Sequence, residues 1–113
     1  MEPVLDWETF AKVDMRVGTI INAEPFPEAR NPACKLTIDF GEELGIKKSS
    51  AQITSLYTTE NIVGKQIIAV VNFPPKQIAN IMSECLVLGV LGKDKDVILL
   101  QPERKVKNGW KIS

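Results

Sequence analysis

Lys35-Leu36-Thr37-Ile38-Asp39-Phe40 alternates polar and apolar residues without a break. A period of two puts Leu36, Ile38 and Phe40 on one face of an extended chain and Lys35, Thr37 and Asp39 on the other, as in a strand with one side against a core. Upstream, Val17-Gly18-Thr19-Ile20-Ile21 reads as a strand that begins near Met15 and runs into a loop containing Pro25, Pro27 and Pro32. Downstream, Gly41 to Gly45 reads as a turn, and residues 46–53 as a strand carrying the polar pair Ser49-Ser50. The apolar segments 67–71 and 86–91 are too short for typical helices and rich in β-branched residues, so they read as interior strands, and residues 97–100 add one more.

Helical signals are few. Asp6 is a suitable N-cap, and Trp7, Phe10 and Ala11 fall on one helical face, which is expected to pack on a sheet. Residues 57–61 read as a short helical connection ending near Gly64. The fold class is therefore mainly all-β, with a short N-terminal helix and small helical connections. Strand count and punctuation fit a barrel of about five strands, and periodicity alone leaves barrel and sandwich open.

The chain has 113 residues and no internal repeat, low-complexity tract or polar linker, so residues 1–113 read as a single domain. Folding a chain of this length removes roughly two-thirds of its surface from water, enough for a core without disulfides or metal. Fourteen basic residues balance fourteen acidic ones, so any affinity for polyanions must come from a local patch. Cys34 and Cys85 are far apart and each adjoins an apolar residue, Ala33 and Leu86, which reads as two buried thiols. No apolar run approaches the ~18–20 residues of a membrane span, and Met1-Glu2-Pro3 lacks the start of a signal peptide. A cytoplasmic protein without membrane insertion is expected.

Catalysis finds no support. There is no histidine, no Gly-rich phosphate loop and no spacing that gathers metal ligands, so no cofactor or metal is expected. Glu28, Glu42 and Glu43 read as solvated surface charges.

Several stretches, in order, carry a resemblance: Asp14-Met15-Arg16-Val17-Gly18-Thr19-Ile20, Pro27-Glu28-Ala29-Arg30, Lys35 to Gly41, Ser50-Ala51-Gln52-Ile53 and Val71-Asn72-Phe73-Pro74-Pro75. Together they resemble the tRNA-binding domain family found attached to methionyl- and phenylalanyl-tRNA synthetases. Gly45 to Ile53 and Ala69 to Pro75 are similar to a free-standing branch of that family regarded as export-related chaperones. The resemblance implies a five-stranded OB-type barrel that pairs as a homodimer, binds tRNA or other structured RNA, and is not an enzyme.

Candidate contacts follow from the residues and the resemblance together. Arg16 and Arg30 each lie near a carboxylate, Asp14 and Glu28, and read either as solvated ion pairs or as planar forks for phosphate, with Arg30 the better candidate. Asp14 also reads as a residue that orients the strand entry. Ser50 and Gln52 offer a hydroxyl and an amide to base edges or ribose, on a face where the family places nucleic-acid contacts. Lys35 offers a phosphate contact from the neighbouring strand. Asn72-Phe73-Pro74-Pro75-Lys76 joins a buried strand to a rigid loop with one aromatic and one cation. Phe73 reads as a base-stacking platform or, as is more common for a Phe ending an apolar run, as core.

In the family this loop continues with several basic residues and a glycine before a serine. Here only Lys76 and Ser83 match, and Ile78, Ile81 and Met82 make the loop apolar. Fewer cations mean less counterion release and weaker RNA binding. Ile78, Ile81 and Met82 suit adaptable contacts with unfolded or pre-export polypeptide instead, or closure of the barrel or dimer seam. Trp110, past an Asn108-Gly109 turn, is a dimer-interface candidate, and Arg104, Lys105, Lys107 and Lys111 form the main basic run.

Overall fold

A computed structural model describes residues 3–113; Met1 and Glu2, the start of the segment read as lacking a signal peptide, lie outside the described residues. The chain runs α1 (Trp7–Ala11), β1 (Met15–Pro25), β2 (Cys34–Asp39), α2 (Gly41–Leu44), β3 (Ile46–Ala51), α3 (Thr59–Ile62) and β4 (Gln66–Val70). It continues as β5 (Lys76–Ile78), β6 (Ile81–Ser83), β7 (Leu86–Val87), β8 (Gly89–Leu91), β9 (Val97–Leu99) and β10 (Lys111–Ile112).

Strands β3-β2-β1-β4-β7 pair in that order, all antiparallel, with β10 added to the start of β1. They form a nearly closed five-strand barrel of the OB type. Between Ile20↔Ile38 and Asn22↔Thr37 the register shifts by one residue, a bulge at Ile21. Such a bulge bends and twists its strand, which lets the long β1 pair with β4 through its first half and with β2 through its second. The barrel closes without a regular ladder between β3 and β7. Glu84 N–H donates to the Lys48 carbonyl at 2.8 Å, and Lys48 N–H donates to the Glu84 carboxylate at 2.9 Å.

The core sits inside this curve. Leu36, Ile38 and Phe40 are 0–1% exposed, as the alternation in β2 requires. Ile20, Ile53, Ile62, Ile67, Ala51, Ala69, Leu99 and both cysteines complete the cluster. Gly18 lies across from Ile38 and Phe40, where an added Cβ would fall 2.7–2.8 Å from their side chains, so the close packing of β1 on β2 requires glycine. Both thiols are buried and free. Burial pushes the Cys85 thiol up to about 11, and pushes Cys34 up from its ordinary value as well.

Five expectations need correction. Asp6 does cap α1, accepting from Thr9 N–H at 2.7 Å, but α1 buries no residue and Trp7 is 87% exposed. Five residues make less than two turns, too few for an apolar stripe to cover a sheet. Gly41–Leu44 forms one helical turn, not a bare turn, with Gly45 N–H closing onto the Gly41 carbonyl. The run 86–91 is not one interior strand. It splits at Leu88 into β7, paired to β4, and β8, paired to β9, and leaves Leu86, Val90 and Leu91 exposed. Pro25 ends β1 instead of sitting in the loop, and residues 46–53 form strand only to Ala51.

Candidate nucleic-acid interface

β3 leaves the barrel at Ala51, the Pro-rich loop returns to β2 at Cys34, and the two are register partners, so the ends of β2 and β3 meet beside each other. The segment after β4 crosses in front of this corner and folds back as the β5–β6 hairpin. A groove of about 980 Å³ lies between them. Arg30, Ser50, Gln52, Phe73, Lys76, Ile78 and Ser83 all line it, together with Pro74 and Pro75. Seven of the candidate positions, scattered over more than fifty residues of sequence, therefore face one space.

Phe73 is 55% exposed, so the core reading of this ring is set aside. The two prolines after it fix their own φ angles and stiffen the turn that presents it. Arg30 is exposed and makes no ion pair with Glu28 among the described residues. Ser83 is already committed. Its hydroxyl accepts from Ser50 N–H at 3.2 Å and lies 3.5 Å from both the Ser49 hydroxyl and the Cys85 carbonyl, which ties the hairpin to β3.

Other candidates lie elsewhere. Lys35 does not line the groove; its ammonium is 3.9 Å from Glu24 and 5.3 Å from the Phe26 ring centroid. The Asn72 amide is occupied at both ends, accepting from Asp14 N–H at 3.0 Å and donating to the Lys12 carbonyl at 2.6 Å, so it holds the end of α1 to the barrel. Arg16 is held in the same way. Its guanidinium donates to Asp14 at 2.6 Å and to the Gly109 carbonyl at 3.0 Å, so the ion pair with Asp14 that sequence offered exists but is partly buried, not solvated. On the hairpin Met82 is 48% exposed, while Ile78 and Ile81, opposite each other across it, are half-buried. Trp110 is 57% exposed and lines a second groove of about 860 Å³ with Glu42, Glu43 and Lys107.

The groove beside Phe73 differs from its neighbours in charge. Its lining holds two cations and no carboxylate, whereas the groove at Trp110 includes Glu42 and Glu43, and a third, beside Lys65 and Arg104, includes Glu103. In a chain of zero net charge this lining carries a local excess of positive charge. Sequence reasoning missed Asn31 and Gln77, which also line it; their only signal was adjacency to Arg30 and Lys76.

The family model described as "Putative tRNA binding domain" matches residues 15–111. The chain belongs to the tRNA-binding domain family. Among curated relatives, the methionine–tRNA ligases of Methanosarcina mazei and Methanosarcina acetivorans are 33% and 31% identical over 110 residues, 97% of this chain. The chain spans 15% of the length of those ligases. Among solved structures, the chaperone CsaA of Bacillus anthracis strain Ames is 54% identical with a TM-score of 0.93, covering 98% of this chain and 100% of that one. The CsaA chaperone protein of Picrophilus torridus is 49% identical with a TM-score of 0.91, covering 97% and 100%. This tRNA-binding domain thus resembles the two solved CsaA chains along their whole length.

No helix of the described residues is long and apolar enough to cross a membrane. Among the described residues, no three or more His, Cys, Asp or Glu side chains gather where they would hold a metal ion.

Proposed function

We propose that residues 1–113 act as one non-catalytic domain that binds structured RNA such as tRNA, in the cytoplasm, through the groove between the β2–β3 corner and the Phe73-to-Ser83 segment. The observation that carries this reading is the carboxylate-free lining that sets Arg30 and Lys76 beside an exposed aromatic ring. Arg30 and Lys76 hold phosphates, Ser50 and Gln52 meet ribose or base edges, and Phe73 stacks. Ser83 supports this face by tying the hairpin to β3, whereas Asn72 and Lys35 are bonded away from it. The family's name and the tRNA ligases among the relatives favour the same ligand.

The test is fluorescence anisotropy of labelled bulk tRNA against the purified protein at low and near-physiological salt. Saturable binding that weakens with salt and is reduced in Arg30→Ala and Lys76→Ala is the expected result. Absence of binding at low salt would overturn the reading.

A second reading is favoured by the apolar hairpin and by the similarity to the CsaA chaperones. Here Ile78, Ile81 and Met82 bind unfolded or pre-export polypeptide, in a homodimer whose seam includes Trp110. It predicts salt-tolerant binding of an unstructured hydrophobic peptide that is lost in Met82→Asp, and a dimer by size-exclusion chromatography with light scattering.

A further inference from the structure

We infer that residues 73–82 form a flap beside the groove that opens as a unit while the barrel stays folded, latched by Gln77 against a strained turn at Ala79. The inference rests on the reading of this groove as the RNA-binding site. From Val71 to Glu84 no residue is buried, although Val70 before the segment and Cys85 after it are. Strands β5 and β6 have three residues each and pair only with one another. A two-stranded hairpin is marginally stable by itself in water, and a segment with few buried contacts opens at low free energy.

Both ends of the segment are tied down and its middle is not. At one end Val71 N–H donates to the Asp14 carbonyl at 2.8 Å, and the Asn72 amide bonds Asp14 and Lys12. At the other end Ser83 and Glu84 bond β3. Among the described residues no hydrogen bond joins residues 73–82 to the rest of the chain. Two fixed ends with a self-paired, exposed middle make a flap with its hinges next to Asn72 and Ser83.

The tip of the flap is strained. Ile78 pairs with Ile81, which leaves Ala79 and Asn80 as a two-residue loop, and Ala79 has φ +49° while Asn80 has no positive φ. A positive φ at the first loop position alone is the pattern of a type II′ turn, which favours glycine there. An alanine held in that region is disfavoured by its Cβ, and such strain recurs at ligand clamps and switches. One side-chain bond braces the turn: the Gln77 amide donates to the Ala79 carbonyl at 3.1 Å. Both residues also line the groove. A ligand that takes the Gln77 amide competes with the brace, so filling the groove and releasing the strained turn are linked equilibria.

The two cysteines report on this motion in the unmodified protein. Cys85, 6% exposed, lines the groove just past the second hinge, whereas Cys34, 3% exposed, does not line it. Burial, which pushes the Cys85 thiol up to about 11, keeps it unreactive while the flap is closed. The test is labelling of the native protein with N-ethylmaleimide, each cysteine being located by mass spectrometry and its rate divided by its rate in urea. Cys85 should label at least about tenfold faster than Cys34. Ala79→Gly relieves the turn and should slow Cys85 about fivefold. Gln77→Ala removes the brace and should speed it about threefold.

Anisotropy with bulk tRNA then separates the flap from the ligand. Because the released flap is the bound form, Ala79→Gly should weaken tRNA binding by up to the factor by which it slows labelling. Equal normalised rates at the two thiols would mean that only global unfolding uncovers Cys85, and would overturn the flap. If tRNA binds the wild type but Ala79→Gly leaves either the labelling rate or the affinity unchanged, the inference fails while RNA binding stands. If tRNA does not bind at all, the RNA-binding reading fails and takes the inference with it.

Discussion

The half of the barrel from Met15 to Ala51 and the segment from Phe73 to Leu100 use their apolar residues in opposite ways. In the first, three strands of six to eleven residues pair along their length, and Val17, Ile20, Leu36, Ile38 and Phe40 are at most 2% exposed. In the second, no strand exceeds three residues, and Phe73, Met82, Leu86, Val90, Leu91 and Ile98 are 47–84% exposed. Only Cys85 and Leu99 of that segment are buried. The first region spends its hydrophobic surface on its own stability. The second leaves much of its apolar surface exposed.

The largest expected effect is therefore a difference between two truncations. Phe40→Ala removes a fully buried ring and should cost about 3–5 kcal/mol by urea denaturation. Met82→Ala, on the exposed hairpin, should fall within about 0.5 kcal/mol. Comparable losses at both positions would break the contrast between the regions.

A smaller effect comes from Cys85, the point where the second region enters the core. Burial, the main cause, outweighs its hydrogen bond with Ser49 and raises the thiol from 9.0 to about 11. A folded-state pKa above the unfolded one means that the contribution is full below pH 9 and lost as pH rises through about 11. The urea midpoint should fall across that window, and Cys85→Ala should remove that part of the slope while leaving the part due to other groups. An unchanged slope would mean that the segment already opens around Cys85 in the folded protein.

How much of this was legible follows the same division. β2 could be read to within a residue because strict alternation admits one burial pattern. The run 86–91 could not, because an unbroken apolar stretch does not say whether it is interior or split between two partners. Phe73 was ambiguous for a related reason: it ends an apolar run, and whether it turns inward depends on how the following prolines leave the strand. The groove's candidates were found by residue type and resemblance, but nothing local showed that Asn72 and Lys35 were already occupied. Their partners Lys12 and Glu24 lie 60 and 11 positions away in sequence. Closure of the barrel was invisible for the same reason, since Ser49 and Ser83 meet 34 residues apart.

That closure gives the smallest and sharpest test, because it joins the two regions. The Ser49 hydroxyl, 1% exposed, donates to the Cys85 carbonyl at 2.9 Å, and Ser83 stands 3.5 Å from both. Ser49→Ala removes a donor from a buried carbonyl and should cost about 1–2 kcal/mol. Ser83→Ala removes the acceptor for Ser50 N–H, and because the two hydroxyls share partners the double variant should depart from additivity. Hydrogen exchange locates the loss: the Glu84 amide, which bonds Lys48 across the seam, should exchange faster in Ser49→Ala, while amides of β2 stay protected. If β2 lost protection by the same amount, the seam and the core would open as one cooperative unit. The second region would then be a structural part of the barrel, and its exposed face could not move independently to meet a ligand.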